Sequence, residues 1–391
     1  MQSTDILIVG GGVIGSAAAF FLAADPDFRG RLLVVEKDPT YAEAATARSA
    51  GGIRQQFSTP ENIRMSLFGA AFVKAADEHL SLAGERVELP FVEQGYLFLA
   101  TAAGLPVLQR NHEVQRALGA DIALMDPAAL KARFPWLNVD DLAGGAFGRS
   151  NEGWTDPYGL LQAFRRKAIA LGAVYVQDET VGLERRGDRV MSVTLAKAGR
   201  IATGAVVNAA GINAARVASW AGLDLPVRPR KRFVYVFDCR VPVPKAPLLI
   251  DPTGVYFRPE GTSFIGGVSP EEADDPDCTD LEVEYRLFDD VVWPALAHRV
   301  PAFEAIKLTR AWAGHYDYNT LDQNLIIGRP PGLANFYLAN GFSGHGLQQS
   351  PAVGRALSEL ILHGGYRTID LSRFGYERVL RGEPLAELNV V

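Results

Sequence analysis

The chain is poor in residues that staple or ligate. It has two cysteines, Cys239 and Cys278, and they form no motif. That excludes a disulfide framework and fits a reducing compartment. Its six histidines show no zinc-type spacing, so no metal is expected. There is no cationic excess. Lys and Arg number 39 against 45 Asp and Glu, for a formal net charge of −6, which disfavours nucleic acid as a partner. No apolar run approaches the roughly 20 residues of a membrane span. No basic leader precedes the first apolar stretch, so a cytoplasmic location is expected. Internal repeats and low-complexity segments are also missing. What remains is a chain of 391 residues, 48% hydrophobic, enough for two or three ordinary domains.

The most specific signal lies at the start. Ile6-Leu7-Ile8-Val9 reads as a strand and runs into Gly10-Gly11-Gly12-Val13-Ile14-Gly15, which fits G-x-G-x-x-G. Ser16 to Ala24 reads as a helix, and Leu32-Leu33-Val34-Val35 as a second strand ending on Glu36. This is a βαβ unit for a dinucleotide. Gly10 permits the tight turn, Gly12 lets the backbone approach a pyrophosphate, and Gly15 lets helix pack on sheet. The helix N-terminus offers unpaired N–H groups to the phosphates. Glu36 sits roughly 20 residues beyond Gly15, where an acid binds ribose hydroxyls and repels a 2′-phosphate. FAD or NAD therefore fits, and NADP does not.

Further along, Ala44 to Arg54 is rich in small residues, with Gly51-Gly52 suited to close approach of a flat or anionic ligand. Thr59-Pro60 predicts a helix to about His79, with Thr59 as N-cap. A strand at 95–99 and helices near 104–118 and 126–133 read as an inserted second domain. Asp156-Pro157 opens a helix ending at Gly172. Strands follow at 173–177, 190–196 and 205–208, with a hairpin at Arg186–Arg189. Residues 225–321 are rich in β-branched and aromatic residues, interrupted by one helix at about 281–297. Glu271 to Asp275 reads as a solvated acidic loop. Strands at 325–327 and 336–338 precede Gly341-Phe342-Ser343-Gly344-His345-Gly346 and a helix to about Leu362. The fold class is α/β. A Rossmann-like cofactor domain (1–84, 146–217, 322–391) interleaves with an α+β substrate domain (85–145, 218–321) on a mostly antiparallel sheet.

The second Gly-rich turn favours FAD over NAD. FAD is long, and its ring system needs a cradle remote from the adenine site. A helix N-terminus aimed at the flavin pyrimidine ring stabilises negative charge there in the reduced form.

Gly10–Gly15, Glu36, Arg48–Arg54, Asn208–Gly211, Asp322–Gly328 and Gly341–Gly346 together resemble the D-amino-acid-oxidase-type flavoproteins, in the branch of monomeric sarcosine oxidase and glycine oxidase. The likeness covers essentially the whole chain. Within it, Ser58–Phe68, Phe134-Pro135-Trp136, Glu152-Gly153-Trp154 and Trp312–Asn324 are similar to a mitochondrial branch that assists assembly of respiratory complex I. The resemblance implies FAD, bound at Gly10, Gly12, Val13, Ile14, Gly15, Glu36, Lys37, Arg48, Ser49, Ala50, Gly51, Gly52, Val181, Ala209, Ala210, Gly211, Gly328, Gly341, Ser343, Gly344, His345, Gly346, Leu347 and Gln348. It implies oxidation of the C–N bond of a small amine or N-alkyl amino acid by hydride transfer to flavin N5. The electron acceptor is left open between a quinone, an electron-transfer protein and oxygen.

Arg54 matches the family's substrate-carboxylate clamp, a role that suits a bidentate guanidinium. Three departures stand beside that match. Gln348 occupies the slot of a second, lysine anchor. His315 replaces the cysteine that tethers flavin in that branch, so noncovalent FAD is expected. Phe264 falls near a lysine that assists oxygen reactivity, which favours a dehydrogenase. Tyr256 and Arg258 are further candidates for the pocket, as are Tyr316, Asp317 and Tyr318. His345 is expected to satisfy a structural hydrogen bond. The rival reading is a flavin-stabilised assembly or binding factor for a respiratory complex with little turnover.

Overall fold

The computed structural model describes residues 2–388. Strand Ser3–Val9 pairs in parallel with Leu32–Glu36 on one side and Gly199–Asn208 on the other. Val174–Gln177 and Phe336–Asn340 extend this core in parallel at its two sides. The hairpin Thr180–Arg186/Arg189–Leu195 joins the first half of Gly199–Asn208, and Ile326–Gly328 joins Phe336–Asn340 antiparallel. The parallel strands read as unbroken apolar runs because both faces are covered. Ile6, Ile8, Leu32 and Val34 enter one core, and Leu7, Val9, Leu33 and Val35 enter the other.

Helices Val13–Ala24, Pro157–Ala170, Pro60–Lys74 and Gly346–His363 contribute to the first of these cores. Helix Gly346–His363 crosses Val13–Ala24 so closely that a Cβ on Gly354 would lie 2.7 Å from the Ala17 backbone. Pro351 lies inside this helix and cannot donate to the Leu347 carbonyl, which instead accepts the Ser350 hydroxyl at 2.8 Å.

The second sheet has eight strands in the order Ile306–Asn319, Val227–Cys239, Ser263–Gly267, Tyr256–Glu260, Leu248–Ile250, Tyr96–Ala100, Gly144–Gly148, Ile122–Met125. Every pairing is antiparallel except Leu248–Ile250 with Tyr96–Ala100. Its strands come from 96–148 and 227–319, so Gly144–Gly148 runs past the expected boundary at 145. A small third sheet joins Gly52–Ile53, Gly153–Thr155 and Phe91–Val92.

Three local expectations are corrected. Thr59 makes no side-chain cap. The Glu387 carboxylate does that work from the far end of the chain, accepting the Ser58 N–H at 2.6 Å, the Thr59 N–H at 3.1 Å and the Asn62 amide at 3.1 Å. The helix expected at 281–297 starts later. It has a wide turn at Phe288–Val292 and continues as Trp293–Arg299. The acidic run is not simply solvated. Asp275 is buried and accepts from both terminal nitrogens of the Arg232 guanidinium at 2.8 Å, while Arg230 reaches Asp277 and Lys231 reaches Asp280. Three consecutive cations of one strand thus hold the irregular segment 269–284 down.

Candidate functional site

A cavity of about 430 Å³ runs between the two sheets. The first turn contributes Gly10, Gly12, Val13 and Ile14, and the second strand Glu36 and Lys37. Arg48, Ser49, Ala50, Gly52 and Arg54 come from the small-residue segment, and Ala209, Ala210 and Gly211 from the turn after Gly199–Asn208. The second sheet adds Tyr96, Tyr256, His315 and Tyr316, and the turn into helix Gly346–His363 adds Gly344, His345, Gly346, Leu347 and Gln348. Two helix N-termini, at Val13 and Gly346, therefore open on one cavity, so that each places its partial positive charge there.

The nucleotide end fits a dinucleotide. Gly10 has φ +99°, and a Cβ on it would lie 2.3 Å from the Ala209 carbonyl oxygen. A Cβ on Gly15 would lie 1.9 Å from the Gly10 carbonyl oxygen, so Gly15 acts beneath the cavity and does not line it. Gly12 differs: the nearest atom to its missing Cβ is Thr46 Oγ1 at 3.7 Å. The space it leaves is not filled by protein, as close approach of a pyrophosphate requires. Glu36 is fixed by the Gly11 N–H at 2.8 Å and the Asp38 N–H at 2.9 Å. Arg48 donates to the Ala42 and Ala313 carbonyls, and Arg258 to the Ala50 carbonyl, so the second sheet grips the segment 48–52 at two points.

The far end is built around Arg54, which is buried. Its Nη1 donates to the Gln56 carbonyl at 2.7 Å and its Nη2 to His345 Nε2 at 3.1 Å, with Cζ 4.2 Å from the Phe57 ring centroid. Its backbone N–H donates to Gln348 Oε1 at 2.8 Å. Burial and the adjacent guanidinium push His345 down to about 3, so it stays neutral and accepts from Arg54. His345 thus makes a hydrogen bond within the protein, to Arg54. Burial lifts the phenols of Tyr96, Tyr256 and Tyr316 above their ordinary value. Burial also raises Asp317 to about 6, although it accepts the Gly341 and Phe342 N–H groups. His315 lines the cavity with its Nδ1 unpartnered, and burial lowers its basicity.

Several expected residues lie outside the cavity wall. Val181 is 46% exposed on a hairpin and does not line it. Gly328 packs near Tyr366, with the site of its missing Cβ 3.1 Å from that hydroxyl. Gly51 backs onto the Thr155 carbonyl. Gly341 and Ser343 build the turn from behind, Ser343 at φ +49° with its N–H on the Asp317 carbonyl. Phe264 stacks on Phe237 and meets Phe257 and Phe303 in the core on the other side of the sheet. Its neighbour Ile265 packs with Val234, Val236 and Ala50 instead. Cys239 and Cys278 do not line the cavity.

Sequence reasoning missed Tyr96, Leu248, Thr46 and Glu152. Glu152 is fully buried, accepts the Gln55 N–H at 2.6 Å and the Gln56 amide at 2.8 Å, and is pushed by burial up to about 7. Asp25, Asp27 and His363 bring ligand-type atoms together. His363 presents Nε2 to Asp25 at 3.2 Å but Nδ1 to Asp27 at 3.9 Å. The three side chains sit at the C-terminus of helix Gly346–His363, where the His363 ring is in hydrogen-bond contact with Asp25.

A parallel sheet with a Gly-rich turn at its first crossover, joined to an antiparallel sheet across a cavity closed by a second Gly-rich turn, defines a flavin-dependent oxidoreductase. The chain belongs to the DAO family of FAD-dependent oxidoreductases, which it matches over residues 5–360, and its cofactor is FAD. It is 45% identical to FAD-dependent oxidoreductase domain-containing protein 1 of Xenopus laevis, over 100% of this chain and 85% of that protein. Among solved structures it is similar to L-proline dehydrogenase from P. horikoshii, with a TM-score of 0.87 and 28% identity over 98% of this chain and 100% of that one. It is also similar to glycine oxidase from Geobacillus kaustophilus, with a TM-score of 0.81 and 25% identity over 96% of this chain and 98% of that one.

Proposed function

We propose that the protein oxidises the C–N bond of a small amine or N-alkyl amino acid. The observation that carries this reading is the placement of buried Arg54 and Gln348 side by side on the cavity wall, at the N-terminus of helix Gly346–His363. What the flavin supplies there when bound is acceptance of a hydride, at N5, from the carbon next to nitrogen. Arg54 takes the substrate carboxylate, and neutral His345 fixes the guanidinium by accepting from Nη2. Gln348 has its oxygen on the Arg54 backbone N–H, which fixes the orientation of its side-chain amide. Tyr96 and Tyr256 stay protonated and act as hydrogen-bond donors that orient an amine bound in its neutral form.

FAD is held noncovalently in this reading. The only lysine on the cavity wall among the described residues is Lys37, at the nucleotide end, which supports a dehydrogenase passing electrons to a quinone or protein over a fast oxidase. Both cysteines are unpaired, which supports a cytoplasmic location. Among the described residues no helix is long and apolar enough to cross a membrane. A second reading, a flavin-stabilised binding or assembly factor, is favoured by one observation: the Arg54 guanidinium is already engaged by Gln56 and His345. Anaerobic titration of the purified protein with sarcosine, proline and N-methyl amino acids decides between them. Bleaching of the flavin absorbance by one of these compounds supports the enzyme. A flavin that none of them reduces supports the binding role.

A further inference from the structure

The register of the second sheet sets what flanks Arg54. Tyr96 pairs with Leu248, Phe98 with Ile250, Ile250 with Tyr256, and Tyr256 with Gly267. Directly paired residues share a face, and so do residues two apart in one strand. These side chains therefore form one continuous surface, and Tyr96, Leu248, Ile250 and Tyr256 all line the cavity. Gly267 has no side chain, and the Tyr256 hydroxyl lies 3.1 Å from where its Cβ would be, so the phenol lies across the next strand. Val268 continues the wall. The same surface meets the arginine: the Arg54 Cζ lies 5.1 Å from the Phe98 ring centroid.

The wall beside Arg54 is thus aliphatic and phenolic, with no charge among Tyr96, Leu248, Ile250, Tyr256 and Val268. A carboxylate placed against these five residues meets no cation among them, and taking an unpaired charge out of water is costly. An apolar group placed there gains from every methylene buried. We infer that the substrate is an amino acid carrying an apolar side chain or ring, with its carboxylate on Arg54 and its apolar group on the Leu248–Ile250 wall. Residues Leu248 and Ile250 are then determinants of specificity. The inference rests on the amine-oxidising reading for turnover, but not for binding.

The test has two arms on the flavin-loaded protein. The first measures anaerobic flavin reduction by N-methylleucine, N-methylglycine and N-methylaspartate. The expected order is N-methylleucine, then N-methylglycine at about 10-fold lower kcat/KM or less, then N-methylaspartate. Ile250→Ala is expected to erase most of the first gap while leaving the flavin spectrum unchanged. The second arm needs no turnover or variant. It reads the dissociation constants of 4-methylpentanoate, acetate and glutarate from shifts in the flavin absorbance. Binding of 4-methylpentanoate is expected to be tightest, by about 10-fold over acetate. Reduction fastest with N-methylglycine or N-methylaspartate overturns the inference and leaves the amine reading intact. No reduction by any amine, with 4-methylpentanoate still bound tightest, removes the amine reading and leaves the wall's selectivity standing. Equal affinity for the three carboxylates overturns the inference outright.

Discussion

Gly15 has no room for one added methyl group. Its Cβ would sit 1.9 Å from a backbone oxygen of the very turn that holds the cofactor, so neither partner is a flexible side chain that can step aside. Gly15→Ala is expected to cost about 1–3 kcal/mol, and to lower flavin content, read together from denaturant midpoints and the absorbance ratio of purified protein. Glu152 offers a second residue-level prediction. Burial lifts its pKa from 4.5 to about 7, so the folded state keeps a proton that the unfolded chain has lost. Its contribution to stability is complete below about pH 4.5 and disappears as pH rises through 7. Glu152→Gln should remove that slope, leaving the native protein about 1–3 kcal/mol less favoured at pH 8 than at pH 5 relative to the variant. Urea midpoints across this range check the sign. A steeper slope in the variant would show that Glu152 is not the titrating group.

At the scale of elements, Glu387 ties the last described stretch of the chain to the start of helix Pro60–Lys74. It places a carboxylate against the positive end of that helix and satisfies two backbone N–H groups. Loss of that carboxylate in Glu387→Ala is expected to destabilise by about 1–3 kcal/mol, as for charged hydrogen bonds. Hydrogen exchange should show the effect first at residues 58–62. This cap also shows the limit of what was readable beforehand. Thr59 before Pro60 carries the local signature of a capped helix start, and local signatures are what a single sequence displays. A carboxylate more than 300 positions away carries no such mark. The βαβ unit was legible because strand, turn, helix and acid lie within one short stretch. The wall of Tyr96, Leu248 and Ile250 was not, because strand pairing between distant segments selects those side chains. Phe264 illustrates the same limit at its smallest step. Successive strand residues face opposite ways, so Phe264 lies in the core of the second sheet while its neighbour Ile265 meets Val234, Val236 and Ala50.

At the scale of the whole molecule, FAD is expected to act as a structural tie, because its cavity is walled by both sheets and two helix N-termini. Protein stripped of flavin should melt at a lower temperature. Adding FAD back at about 1,000 times its dissociation constant should restore about 4 kcal/mol. Calorimetry on stripped and reloaded samples measures this directly. Equal melting temperatures would show that the two sheets hold together without the cofactor.

The order of the walls along the chain has a consequence for biosynthesis. One side of the cavity is made from the first fifty residues, while the turn and helix closing the other are made from residues 344–348. Strand Phe336–Asn340, which aims that turn, completes the parallel sheet only by pairing with Gly199–Asn208. A chain still emerging from the ribosome therefore carries the pyrophosphate turn, without a site able to enclose flavin, until residues 344–348 have been made. Loading of the cofactor is then expected to follow synthesis of this turn, and a polypeptide cut short before Gly344 is expected to hold no flavin.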